Sequence, residues 1–156
     1  MKHIEDQLCE AFVKELDYRI KLEPKLKGLF YYHIPNGGKR NIIEGARFKR
    51  MGVRAGVCDY FVMRASGRYH GLYIEFKAGE NRKPSDAQIA FMDIAEYEGY
   101  KTVVVFSVEA AISEIYKYLE LNKNEKHKFD TTPCLMSNEE QRDRLRRRTP
   151  MVYYEN

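Results

Sequence analysis

The chain has 156 residues, 44% hydrophobic and 32% charged, which is the profile of one globular domain with its own core rather than a fibrous or disordered polymer. Its net charge of +4 is too modest to establish a nucleic-acid partner alone, and its three cysteines, Cys9, Cys58 and Cys134, lie far apart with no C-x-x-C, which argues against a disulfide framework or a zinc site. A charged N-terminus and the lack of a long apolar run predict no signal peptide and no membrane partner, and a reducing, cytoplasmic setting such as a bacterial or phage-infected cell.

Residues 3–18 predict an amphipathic helix with Ile4, Leu8, Ala11, Phe12 and Leu16 on one face. Glu5 and Glu15 both fall on that apolar side and Glu10 on the other, so two carboxylates are candidates for a partnered, inward role. Pro24 and Gly28 bracket a charged connection to an aromatic strand over 29–34, and Pro35-Asn36-Gly37-Gly38 is a turn. From Lys39 to Arg54 the chain carries Lys39, Arg40, Arg47, Lys49, Arg50 and Arg54 against Glu44 alone, with a short helix over 42–51 ended by Gly52. This is either a ridge for a phosphate backbone or a solvated basic face.

The stretch 52–78 predicts a glycine-punctuated loop, a strand opened by Asp59, a turn at Ser66-Gly67 and a second strand ending in Glu75-Phe76-Lys77. Side chains two apart on a strand share a face, so Glu75 and Lys77 are neighbours, and antiparallel pairing across the turn brings Asp59 toward Glu75. Two carboxylates and an ammonium at one sheet edge suit a hard divalent cation, Mg²⁺ or Mn²⁺, and hydrolysis of a phosphodiester by a bound water. The alternative is a solvated ion pair of little consequence. Against it, Leu72-Tyr73-Ile74-Glu75-Phe76 is apolar on both faces, and a charge pair within such a strand requires a reason. His33 and His70 have no partner at ligand spacing and are assigned structural roles.

After a polar loop, Ser85-Asp86-Ala87-Gln88 forms a capping box that starts the next helix, and Gly99 ends it. A buried strand over 101–106 and an amphipathic helix over 108–121, with Ala111, Ile112, Ile115, Tyr118 and Leu119 inward, complete an α/β order that implies a right-handed crossover and a mixed sheet covered by helices. Beyond Leu121 the composition turns polar, and residues 141–148 hold five arginines, either a solvated tail or extra phosphate contacts.

Gly52-Val53-Arg54-Ala55-Gly56-Val57-Cys58-Asp59, then Leu72-Tyr73-Ile74-Glu75-Phe76-Lys77-Ala78, then Gln88, resembles the VRR-NUC family of the PD-(D/E)xK nucleases, a superfamily that includes archaeal Holliday junction resolvases. The resemblance runs from about residue 4 to about residue 121, leaving 123–156 as a basic extension to a nuclease domain over 1–122. Cys58 stands where the family has a proline before the aspartate. The resemblance implies a restriction-endonuclease-like α/β fold and a metal-dependent endonuclease that cuts branched DNA as a homodimer. It implies Asp59 and Glu75 as metal ligands and Glu5 as a further ligand, direct or through water. Lys77 and Gln88 would position the attacking water, and Asn36 and Arg40 would contact DNA or steady their loop. By this account Gln88 faces the site, whereas the capping box keeps it on the helix end, and the two roles compete for one side chain. The rival functions are a general nicking or flap nuclease of the same fold and a non-catalytic DNA-binding module.

Overall fold

The computed structural model describes residues 2–35, 42–79 and 82–121. The elements run α1 (Lys2–Leu22), a 3-10 turn (Pro24–Leu26), β1 (Tyr31–His33), α2 (Ile42–Arg50), β2 (Tyr60–Val62), β3 (Leu72–Phe76), α3 (Asp86–Tyr97), β4 (Lys101–Val105) and α4 (Val108–Glu120). The four strands form one sheet in chain order. β1, β2 and β3 pair antiparallel, while β4 joins β3 in parallel after the α3 crossover.

Strand alternation sorts the side chains into two layers. On one face Tyr60, Val62, Leu72, Ile74 and Phe76 meet Phe12 and Leu16 of α1 and Ala111, Ile112 and Ile115 of α4 in a single buried core. Each large apolar side chain fully buried there contributes about 1.5–3 kcal/mol. All five residues expected to face inward from α4 are buried. The other face is aromatic: Phe61 lies 4.6 Å from Tyr73, and α3 covers Tyr73 with Phe91 at 5.0 Å, nearly perpendicular.

Two expectations for α1 need correction. Ile4 is half exposed and Ala11 is exposed, although both were placed on the buried stripe. The buried face turns instead through Cys9, Phe12, Val13, Leu16 and Ile20. For Ile4 the reason is that the first turn of α1 overlies a cleft at the sheet's end rather than the sheet, whereas Ala11 falls outside the face that centres on Cys9, Phe12, Val13 and Leu16. Glu15, the second inward candidate, sits half-buried against Arg19 at 2.5 Å, an i,i+4 pair that serves the helix itself.

The hairpin between β2 and β3 is fixed at its closed end by Ser66, whose hydroxyl donates to the Tyr118 carbonyl of α4 at 2.5 Å, while the Tyr118 hydroxyl returns a bond to the Arg64 carbonyl. Beyond that end the Ser66–Tyr69 bridge and the β2–β3 ladder differ by one residue, and the strands pair with Tyr60 opposite Ile74, Phe61 opposite Tyr73 and Val62 opposite Leu72. Carried one step on, the same register puts Asp59 opposite Glu75. α2 stands apart, with no other helix or strand packed closely against it among the described elements.

Candidate active site

The open end of the hairpin, the start of α3 and the first turns of α1 enclose a cleft of about 1020 Å³. Glu5, Asp59, Glu75, Lys77 and Gln88 all line it, so the fold gathers the five residues singled out for catalysis into one place. Asn36, Lys39 and Arg40 lie outside the described residues. Arg47, Lys49, Arg50 and Arg54 are described and exposed, on α2 and the loop after it, and are not among the cleft's lining.

Glu75 is the centre of the arrangement. It is 1% exposed, on the α3 side of a strand whose flanking residues Ile74 and Phe76 face the core. Its Oε1 accepts from Lys77 Nζ at 2.5 Å and from Gln88 Nε2. Its Oε2 is buried without any hydrogen-bond partner. A buried carboxylate oxygen left in that state is costly, which marks it as a place where a cation or a proton belongs. Burial, and then the nearby Asp59 charge, push the Glu75 carboxyl up to about 7, and Lys77 only partly offsets them.

Asp59 reaches the same end of the sheet from the loop before β2. Its Oδ2 accepts from the Phe76 backbone N–H at 2.8 Å, tying the start of one strand to the end of the other. Burial raises its pKa as well, opposed by that backbone bond and by the charge of Lys77. The approach depends on Gly56. That residue sits at φ +88°, and a Cβ there would fall 2.3 Å from the Ala87 carbonyl oxygen. A side chain at 56 would therefore push the loop carrying Asp59 off the first turn of α3, where Gln88 sits.

Gln88 overturns the expectation that its two roles compete. Ser85 is the N-cap of α3, and the full capping box is present. Gln88 Oε1 accepts from the Ser85 N–H at 2.9 Å, which leaves Nε2 to donate to Glu75. The amide has one acceptor and one donor end, and because Ser85 N–H is a donor the box fixes which end turns to the carboxylate. Helix capping thus orients the site residue.

Glu5 borders the cleft rather than joining a cage. Its Oε1 accepts from the Ala78 N–H at 3.2 Å, one residue past Lys77, and its charge adds to those acting on Asp59 and Glu75. Among the described residues no three His, Cys, Asp or Glu side chains converge as a ready-made metal cage. Two protein carboxylates with water completing the shell is nevertheless the usual way Mg²⁺ is held, since that ion dehydrates reluctantly. The orphaned Glu75 oxygen and the oxygen-only donors fit such an ion.

The sequence reading missed His33. It was assigned a structural role, yet it is exposed, lines the cleft and acts electrostatically on Asp59, with its ring 5.1 Å from that of Tyr60. The cysteines beside the site are inert: burial and the neighbouring carboxylates push Cys58 up to about 12 and Cys9 up to about 11, so both remain thiols. No helix among the described residues is long and apolar enough to cross a membrane.

No protein-family model and no curated protein matches the chain. Among solved structures it is similar to a VRR_NUC domain protein, with a TM-score of 0.63 and 32% sequence identity, over 76% of this chain and 89% of that one.

Proposed function

This chain belongs to the VRR-NUC family of nuclease-type domains, with the mixed sheet between helices of restriction endonucleases, and on that premise we propose that it is a metal-dependent, structure-specific endonuclease hydrolysing phosphodiester bonds in branched DNA such as four-way junctions. The observation that carries the reading is the unpartnered Oε2 of the buried Glu75 next to Asp59. Asp59 and Glu75 are the residues that would hold Mg²⁺ or Mn²⁺, with Glu5 completing the shell directly or through water. When bound, such an ion supplies Lewis acidity and an activated water.

The chain's own groups do the rest. Lys77, 12% exposed at its side chain, keeps one side toward the cleft while it neutralises Glu75, and so stands ready for the charge that grows on a phosphate under attack. Gln88, locked by the capping box, holds Glu75 Oε1 in place and leaves Oε2 free of a protein donor among the described residues. Exposed Arg47, Lys49, Arg50 and Arg54, with Asn36, Lys39 and Arg40 before them, supply sequence-independent backbone contacts. Among the described residues no separate base-reading module accompanies them, and DNA shape is the basis of choice in this reading. A four-way junction needs two symmetric cuts, which a two-fold homodimer provides.

The test is cleavage of four-way, flap and linear duplex DNA of matched sequence, with Mg²⁺, Mn²⁺ or chelator. The expected result is divalent-dependent cutting that favours the junction, reduced about 10²–10³-fold or more by Asp59→Ala while DNA binding persists. Undiminished cutting by Asp59→Ala would reject the site. Equal cutting of all three DNAs would reject the substrate choice.

A further inference from the structure

The aromatic face of the sheet does not stop where α3 stops. Beyond Phe61, toward the β1 edge, it continues into Tyr32, Phe30 and Met63, which are 43%, 61% and 62% exposed. Tyr32 stands opposite Phe61 in the β1–β2 register, with ring centroids 5.6 Å apart and edge-on. Phe30 lies 6.3 Å from Tyr32, and the Met63 N–H donates to the Phe30 carbonyl at 2.8 Å. Tyr32 is therefore the exposed end of a series of edge-on and tilted ring contacts running through Phe61, Tyr73 and Phe91, backed by fixed rings rather than loose chain.

The same register ties this patch to the cleft. Residues two apart on a strand share a face, so Tyr32, Phe61 and Tyr73 form the row next to Ile34, Asp59 and Glu75. Ile34 N–H donates to the Asp59 carbonyl at 2.7 Å, which extends the ladder into that row. Adjacent rows are roughly 6.8 Å apart, close to the reach of one nucleotide. Cations border the far end: the Arg64 guanidinium donates to the Lys27 carbonyl at 3.1 Å and lies beside Gly28, two residues before Phe30, while the Lys27 side chain is exposed.

We propose that Tyr32 and Phe30 form a stacking platform for an unpaired nucleobase of the DNA, one or two nucleotides from the scissile phosphate at the Asp59–Glu75 site. The proposal rests on the nuclease reading and narrows its substrate to branch points that expose an unstacked base. Size and charge select this occupant. A stable protein interface buries about 1,200–2,000 Å² in total, far more than three side chains can offer, whereas one or two flat rings match one or two bases. Lys27 and Arg64 favour a polyanion over a neutral apolar partner, and base–aromatic stacking is indifferent to sequence, as shape recognition requires.

The test uses the full chain in chelator, so that binding is read without cutting. Affinity is measured by fluorescence anisotropy for a perfect duplex and for the same duplex with an internal unpaired tract carrying 2-aminopurine. The wild-type chain should prefer the unpaired DNA and quench the 2-aminopurine. Tyr32→Ala and Phe30→Ala should each lower the preference for unpaired over paired DNA by about tenfold, the size of one stack, and Tyr32→Phe should restore it. A preference unchanged in both alanine variants, or a fully paired DNA preferred by the wild type, overturns the platform. Those outcomes leave the nuclease reading intact if divalent-dependent cutting persists, whereas absence of both binding and cutting in the wild type removes both. A shift in sedimentation of Phe30→Ala with no change in DNA preference would assign the patch to a second copy of the chain instead.

Discussion

Along β3, Leu72, Ile74 and Phe76 turn toward α1 and α4, whereas Tyr73 and Glu75 turn toward α3. Ile74 and Glu75 are adjacent, and both are essentially sealed from solvent. On the first face these side chains pack in the apolar core, and burial stabilises. On the second, one carboxylate oxygen has Lys77 and Gln88 and the other has no partner among the described residues. The contrast separates where burial holds the fold together from where it works against a charge: the same degree of burial contributes on one side and costs on the other.

Removing side chains from the two faces should therefore move stability in opposite directions. Ile74→Ala leaves a cavity in the core and is expected to destabilise by about 2–5 kcal/mol in denaturant unfolding. Glu75→Gln keeps the shape and the acceptor for Lys77 and Gln88 but removes the buried charge. The sign with pH follows from the raised carboxyl, about 7 when folded against an ordinary 4.5. Below the ordinary value both states carry the proton. As pH rises from there to about 7 the unfolded chain ionises first, so metal-free stability falls, by on the order of 3–4 kcal/mol, and then levels. Glu75→Gln should flatten that fall and exceed the native chain in stability above neutral pH. A native profile that rises over this interval would show the contrast to be misplaced.

A smaller effect separates the two ends of Gln88. Gln88→Glu retains an oxygen for the Ser85 N–H but sets an anion against Glu75, whereas Gln88→Ala loses both bonds. The alanine variant keeps the bond from the residue-88 N–H to the Ser85 hydroxyl and loses only the returning one, so it is expected to lose about 0.5–1.5 kcal/mol of stability from the cap. The glutamate variant should keep more of the cap yet cut DNA no better than the alanine variant. Equal activity of Gln88→Glu and the native chain would confine the residue to capping.

Much of this contrast was legible in the sequence because it rests on local rules. The hairpin turn near Ser66-Gly67 brings Asp59 to the Glu75 end of the sheet, although the exact register carries a one-residue offset from the turn, and the 3.6-residue period picks out Ala111, Ile112, Ile115, Tyr118 and Leu119. What the sequence hid depends on where elements end against one another. The apolar stripe of α1 does not reveal that its first turn leaves the sheet, which exposes Ile4, or that the buried face centres on Cys9, Phe12, Val13 and Leu16, which leaves Ala11 outside it. Nor could residue identities show that the amide of Gln88 serves two partners at once, since that requires the start of α3 to sit beside the end of β3. His33 was overlooked for the same reason, its neighbours being remote in the chain.

The central claim is that the unsatisfied oxygen of Glu75, with Asp59, forms a seat for a divalent cation. Calorimetric titration of Mg²⁺ and Mn²⁺ into the chain at about pH 8, compared with Glu75→Gln, tests it most directly. The account expects saturable binding to the native chain that weakens as pH falls below about 7, where Glu75 holds its proton, and that is lost in the variant. Absence of binding to the native chain, or equal binding to both, would contradict it.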